Sequence, residues 1–182
     1  LRLARPGVLI DINDIDDGQP SLDNGFLHVP ALTRHATLIR SPLVSRHAPL
    51  LGAVASQVGN VRVRNRGTMG GTMAHADPTA EIPCASLALD AEVVVHGQGG
   101  ERTVAARDFF LTYLTTVLEP TEVVRAVRFP VLRPRQGWSF AEMVRRASDF
   151  AVVAVAASVQ LDPDGETIRT ADLALAGVAD RP

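Results

Sequence analysis

The sequence contains no lysine: all 18 basic residues are arginine. This removes a Schiff-base lysine and the lysine of a phosphate-binding P-loop from consideration, although arginine in place of lysine also follows from genome composition alone. Only one cysteine is present, Cys84. A single thiol cannot close an internal disulfide or hold an iron–sulfur cluster by itself, and a cytoplasmic location is expected. Long apolar runs are also missing. The longest, residues 150–159, is interrupted by small and polar side chains and cannot span a bilayer. The opening residues read as folded sequence rather than as a secretory leader. The formal charge of −2 is not gathered into blocks, so neither nucleic acid nor a membrane surface is indicated as a partner. The five histidines, His28, His35, His47, His75 and His96, are scattered. Each reads as a surface or structural residue, and no metal-ligand cluster is expected. His75 stands apart only because it sits in a glycine-rich segment.

What is present is enough for a real core, since 46% of the 182 residues are hydrophobic. The length suits one domain, or one domain and part of another. The first residue, Leu1, and the closing Asp180-Arg181-Pro182 do not look like natural termini, and both ends are expected to be cut short. Residues 8–12 read as a strand, residues 13–25 as turn-rich, and residues 26–29 as a second strand. Thr33 is a candidate cap for a helix over 34–40. Ser41-Pro42 would open another helix, and residues 50–58 a third, stopped by Gly59-Asn60. Residues 61–66 alternate apolar and polar side chains ahead of a glycine-rich loop at 67–71. Helix returns near Glu81, because Pro83 is tolerated only in a first turn. Residues 91–96 and 102–105, around a turn at 97–100, predict a β-hairpin. A helical turn at 108–110 and a strand over 122–129, ended by Pro130, follow. Residues 130–137 read as a linker. Residues 138–146, 152–161 and 168–176, with a Pro163-Asp164-Gly165 turn, predict an antiparallel meander. The order of elements lacks regular βαβ alternation, so the class is α+β, with a first domain over residues 1–133 and the beginning of a second over 134–182.

The most informative segment is residues 64–81, Arg64-Asn65-Arg66-Gly67-Thr68-Met69-Gly70-Gly71-Thr72 through His75, Asp77-Pro78 and Glu81. Paired glycines let a backbone approach a ligand closely. Successive main-chain N–H groups can then surround phosphate oxygens, with Thr68 and Thr72 hydroxyls beside them. A carboxylate further on, Glu81, could accept from ribose hydroxyls. No G-x-G-x-x-G or βαβ unit is present, so a Rossmann domain is not indicated. The same glycines also suit a tight turn, Asp77-Pro78 a turn or helix cap, and Arg62, Arg64 and Arg66 either attract an anionic cofactor or form a solvated strand face.

The segment resembles the second flavin-binding motif of the FAD-binding subunits of molybdenum hydroxylases, a group that includes the medium subunit of carbon monoxide dehydrogenase and the flavin domain of xanthine dehydrogenase. The family pattern is Arg-Asn-x-Gly-Thr-hydrophobic-Gly-Gly, then Asp-Pro and an acidic residue. Arg64 to Gly71, Asp77-Pro78 and Glu81 match it. Three further stretches are similar to the family in order: residues 1–15, Asp108-Phe109-Phe110 with residues 118–122, and residues 145–151. The resemblance implies a vanillyl-alcohol-oxidase-like (PCMH-type) FAD-binding domain followed by the start of a small antiparallel α+β C-terminal domain. It implies that Thr68, Met69, Gly70, Gly71 and Thr72 wrap the FAD pyrophosphate, that Glu81 takes the ribose position, that Leu118 lies beside the isoalloxazine ring, and that Asp77 and His75 belong to the same site. The family's first flavin loop, Ala-Gly-Gly-x-Ser, would lie upstream of Leu1 and is absent from the sequence. Glu81 stands where aspartate is usual, Thr72 where asparagine or serine is common, and Glu142 roughly where some relatives carry a lysine.

The resemblance further implies a division of labour. A large partner subunit oxidises substrate at a molybdopterin-type molybdenum cofactor. A small partner subunit carries 2Fe–2S clusters. This chain carries FAD and passes electrons to a quinone, NAD or another acceptor. No catalytic acid or base is expected here, since the flavin does the chemistry, and Arg146 and Asp149 are read as a simple pair. Two other readings stay open: a self-contained FAD-dependent reductase or oxidase on the same fold, and a flavin-free scaffold domain.

Overall fold

The computed structural model describes residues 6–16 and 18–182. Two short strands, β1 (Ser21–Asp23) and β2 (Phe26–Pro30), meet at Asn24-Gly25. Both turn residues have positive φ, 47° and 80°, the backbone that a two-residue hairpin needs. β1 therefore lies inside the stretch expected to be turn alone. Residues 8–12, expected as a strand, form none: Val8, Leu9 and Ile10 are exposed. Apolar side chains favour a strand only where a neighbouring ladder takes up the backbone N–H and C=O groups, and among the described residues no strand pairs with this segment.

Six helices follow: α1 (His35–Arg40), α2 (Pro42–His47), α3 (Pro49–Gln57), α4 (Val61–Arg66), α5 (Met69–His75) and α6 (Glu81–Ala88). α2 opens as expected, with Ser41 Oγ accepting the Val44 N–H at 3.4 Å and Pro42 in the first turn. Thr33 is not a cap: Arg34 takes that position in α1, and Thr33 is buried with its Oγ1 lacking a partner. Residues 61–66 are helix, not strand. Asn60 decides this, since its side-chain oxygen accepts the N–H groups of Arg62 and Val63 at 2.9 and 3.3 Å and so supplies the helix start that the alternating pattern conceals. The glycine-rich run is likewise helical from Met69 onward, because Thr68 caps it.

The hairpin of β3 (Glu92–Gly97) and β4 (Gly100–Ala105) is present. Next come α7 (Ala106–Phe109), the β5 (Phe110–Thr112) and β6 (Thr115–Thr116) pair, and β7 (Val123–Pro130). The antiparallel sheet order β1-β2-β7-β3-β4 puts β7 at the centre. Its register opposes Leu27 to Phe129, and Val29 and Val93 to Val127. These side chains are buried with Leu38, Leu50, Leu51 and Val54 from the helices. Each large side chain buried in this way contributes about 1.5–3 kcal/mol of transfer free energy. Helices this short are held by packing rather than by their own propensity.

The predicted meander is β8 (Gln136–Val144), β9 (Ala151–Leu161) and β10 (Ile168–Ala176), in the order β10-β9-β8. Its inner face carries Ala154, Ala156, Ala174 and Ala176, all buried. Side chains this small let α6 lie close against the strands: Cys84 Sγ donates to the Ala174 carbonyl at 3.4 Å. The Gly177 N–H donates to the Pro78 carbonyl at 2.9 Å, tying the meander to the segment before α6. Arg146 and Asp149 meet through the main chain, the Asp149 N–H donating to the Arg146 carbonyl at 3.1 Å, rather than through a side-chain ion pair.

Candidate functional site

Because residues 69–75 are helical, their side chains sort by a period of 3.6 rather than lining a loop. Thr68, Gly71, Thr72 and His75 recur at intervals of three and four and share one face of α5. That face forms one wall of an open groove of about 530 Å³. Asp77 and Glu81 lie on the groove as well, with His35, Arg66 and Gly67 from neighbouring elements and Phe150 from the turn between β8 and β9. Met69 and Gly70 point the other way and are buried. A Cβ on Gly70 would stand 2.5 Å from Ala31 Cβ and 3.0 Å from Ala31 Cα, so this glycine allows α5 to lie on the end of β2. Leu118 is half-buried after β6 and does not line the groove. The structure thus gathers six of the nine expected cofactor residues, places two beneath them, and leaves one elsewhere.

The expected row of free N–H groups is not there. Met69 N–H donates to the Thr33 carbonyl at 2.9 Å and Gly70 N–H to the Ala31 carbonyl at 2.8 Å. Gly71 N–H donates to Thr68 Oγ1 at 3.1 Å and Thr72 N–H to the Thr68 carbonyl at 3.0 Å. Thr68 at the helix start and the carbonyls of Ala31 and Thr33 take up these donors. What this face offers a ligand is hydroxyl groups and, at Gly71, an exposed main chain with no side chain over it.

His35, expected to be merely structural, is the residue under this wall. It is 2% exposed. Its Nε2 lies 2.9 Å from Thr72 Oγ1 and 3.2 Å from the Thr68 carbonyl oxygen. Its Nδ1 is buried without a partner. Burial holds its pKa below the usual histidine value, against the Thr68 carbonyl bond that raises it, so the ring is neutral at pH 7. A Cβ on Gly67 would come within 2.7 Å of the ring, so Gly67 is required by packing rather than by its backbone angles. His35 and Thr72 are 37 residues apart. No local pattern could have joined them.

Of the three arginines on α4, only Arg66 lines the groove. Arg64 donates to the carbonyls of Val58 and Gly59 at 3.0 and 2.7 Å, and Arg62 is exposed. Arg34 anchors the turn below by donating to the Arg66 carbonyl and, at 2.6 Å, to Asn13 Oδ1. Glu81, also on the groove, sits in the first turn of α6 and is 6% exposed. Burial raises its pKa, with Glu142 and Asp77 adding to the rise and its own N–H opposing it. Among the described residues no cation pairs with it. Glu142 has its own pKa raised by burial, and its Oε2 lacks a partner. The Asp77 carboxylate accepts from the Thr79 N–H and hydroxyl at 2.8 and 2.7 Å, so its turn-forming role is real. Phe150, 67% exposed on the groove, was not singled out in the sequence.

The groove therefore combines hydroxyl donors, an arginine, an unshielded glycine and a buried carboxylate. Hydroxyls and a cation suit the phosphates of a dinucleotide, an uncovered glycine suits close approach, and a buried acceptor suits a sugar hydroxyl. The residues present fit FAD.

Comparison with known proteins agrees. Residues 1–132 match the family described as the FAD binding domain in molybdopterin dehydrogenase, and residues 138–182 match the CO dehydrogenase flavoprotein C-terminal domain. The chain is 36% identical to the 6-hydroxypseudooxynicotine dehydrogenase complex subunit alpha of Paenarthrobacter nicotinovorans, over 97% of this chain and 60% of the relative. It is 37% identical to the carbon monoxide dehydrogenase medium chain of Hydrogenophaga pseudoflava, over 98% and 62%. The solved carbon monoxide dehydrogenase of H. pseudoflava superposes with a TM-score of 0.94 at 36% identity, covering 99% of this chain and 62% of that one. Quinoline 2-oxidoreductase of Pseudomonas putida 86 gives 0.91 at 35%, over 99% and 62%. The chain spans about three-fifths of the length of these relatives.

Proposed function

This chain belongs to the family of FAD-binding domains of molybdopterin dehydrogenases, and on that premise we propose that it is the flavin-carrying part of an electron-transfer subunit in a molybdenum-dependent hydroxylase. The observation that carries the reading is the groove itself: one face of α5, with Thr68, Gly71 and Thr72, shares it with the buried Glu81. Thr68 and Thr72 hydroxyls hold the pyrophosphate, with Gly71 giving it room. Met69 and Gly70 fix the wall from beneath. Glu81 accepts from the ribose, and Asp77 and His75 form the rim. Leu118, away from the groove, rests on the family resemblance alone as a neighbour of the isoalloxazine ring. Residues 1–133 form the flavin domain and residues 134–182 the beginning of the C-terminal domain, with Phe150 of the second reaching the groove of the first.

When bound, FAD supplies a centre that accepts electrons singly and releases them singly or in pairs. The chain's own residues bind it, orient it and keep the phosphates neutralised; they move no substrate proton. In such an assembly a small subunit would hold the 2Fe–2S clusters that supply electrons and a large subunit the molybdenum cofactor that oxidises substrate, while the flavin held by this chain would pass those electrons to a quinone, NAD or another acceptor. No helix among the described residues is long and apolar enough to cross a membrane. The cytoplasmic location we propose rests instead on the single free thiol, Cys84.

The test is to purify the assembly from its native host, release the bound nucleotide by denaturation, and count iron and molybdenum in the same sample. FAD with both metals supports the electron-relay role. FAD without the metals would replace it by a self-contained flavoenzyme, and absence of flavin would leave a scaffold domain.

A further inference from the structure

The hydrogen bonds around His35 set the direction in which the Thr72 hydroxyl points. A carbonyl oxygen only accepts, so the contact between Nε2 and the Thr68 carbonyl at 3.2 Å requires the proton on Nε2. Nδ1, buried without a partner against Gly67, is then the bare nitrogen of the neutral ring. The same Nε2–H faces Thr72 Oγ1 at 2.9 Å, so that oxygen accepts. A threonine in a helix commonly turns its own proton back to the carbonyl four residues earlier. Here that carbonyl, Thr68, already receives the Thr72 N–H at 3.0 Å and the His35 ring. Its two lone pairs are filled. The Thr72 hydroxyl proton is left to point into the groove, which Thr72 lines.

We propose that His35 is a positioning residue that holds the Thr72 hydroxyl as a donor toward an anionic oxygen in the groove. This rests on the flavin reading, in which that oxygen belongs to the pyrophosphate. The opposite tautomer would draw the Thr72 proton back to the ring and present the groove with a lone pair, which repels phosphate. Gly67 belongs to the device, because any side chain there would displace the ring.

The test uses the full-length chain and has two parts. The first needs no variant: nitrogen NMR of the histidine-labelled protein reads which ring nitrogen carries hydrogen. A proton on Nε2 of His35 at pH 7 is expected, and a proton on Nδ1 would overturn the proposal. The second is a double-mutant cycle on FAD affinity, with flavin fluorescence as the readout. Thr72→Val and His35→Leu should each weaken binding by about tenfold or more, the range for a bond to a charged group. The double variant should lose no more than either single one. His35→Gln, whose amide can still donate, should restore part of the affinity. Additive losses, or a Thr72→Val protein that binds FAD normally, would overturn the proposal while leaving the flavin site standing. A wild-type full-length chain that binds no FAD would instead overturn the flavin reading itself.

Discussion

The two adjacent glycines offer the sharpest perturbation, because the helix sends them to opposite sides. Adding one methyl group at each should separate folding from binding. At Gly70 the new Cβ would lie 2.5 Å from Ala31 Cβ, 3.0 Å from Ala31 Cα and 3.2 Å from the Ala31 carbonyl oxygen. No side-chain rotation removes such contacts, since all three atoms are main chain or rigidly attached to it. α5 must move away from β2 and stretch the Gly70 N–H bond to the Ala31 carbonyl, now 2.8 Å. Overpacking of this kind costs about 1–3 kcal/mol, and the better helix propensity of alanine returns roughly 0.5–1 kcal/mol. A 2.5 Å clash against rigid atoms belongs at the upper end of that range, so the net loss of about 2 kcal/mol corresponds to a fall in melting temperature of roughly 4–8 °C for a chain of this size. At Gly71 the only close atom is Thr68 Oγ1 at 2.8 Å, which a χ1 rotation moves aside. The helix cap that this weakens contributes about 1 kcal/mol, nearly balanced by the propensity gain. Gly71→Ala should therefore melt close to wild type, while its methyl group enters the groove and lowers FAD affinity at least about tenfold. The assay is a thermal melt of the flavin-free proteins, followed by flavin titration of each at 25 °C. Gly70→Ala melting with the wild type would refute the packing argument. Gly71→Ala binding FAD like the wild type would remove this helix face from the site.

Three other outcomes follow from the charge and thiol environments. Glu81 has a raised folded pKa, so the stability it contributes is full below its unfolded value and is lost as pH rises through the folded one; Glu81→Gln should raise the melting temperature of flavin-free protein at pH 7 more than at pH 4 and weaken FAD binding, and an equal shift at both pH values would contradict this. Glu122 is the reverse case: its bond with Arg102, reinforced by the Glu119 N–H, holds its pKa at about 2, so its contribution is present above the unfolded value and disappears as pH falls toward 2. The stability gap between wild type and Glu122→Gln should be widest near neutrality and close in acid, as followed by circular dichroism. Burial pushes the Cys84 thiol up to about 11, so iodoacetamide at pH 8 should leave the native protein unlabelled and modify it only after unfolding; rapid native labelling would place Cys84 outside the core.

The sequence carried the family and most of the fold because both rest on patterns that are local in the chain. Ser41-Pro42, Pro83 in a first turn and the Pro163-Asp164-Gly165 turn each fix an element boundary through backbone chemistry within a few residues, and all three appear where expected. The failures have different causes. A strand over 8–12 was inferred from apolar residues that have no ladder to join, and a strand over 61–66 from an alternation that the Asn60 cap overrides. Reading residues 67–71 as a loop then put both glycines and successive N–H groups toward the ligand, whereas a helix can show a ligand only one face. That one change of backbone explains why Gly71 and Thr72 line the groove, why Gly70 is locked to Ala31, and why this wall offers the groove hydroxyl groups rather than free amides. Hydroxyl donors, unlike amides, can rotate, so they need something to hold them. His35, supplied from a helix 37 residues earlier, is in contact with the Thr72 hydroxyl and the Thr68 carbonyl. On the proposed site, the neutral imidazole with its Nδ1 unpartnered is what would fix the Thr72 donor, a role that a wall of amides would not need.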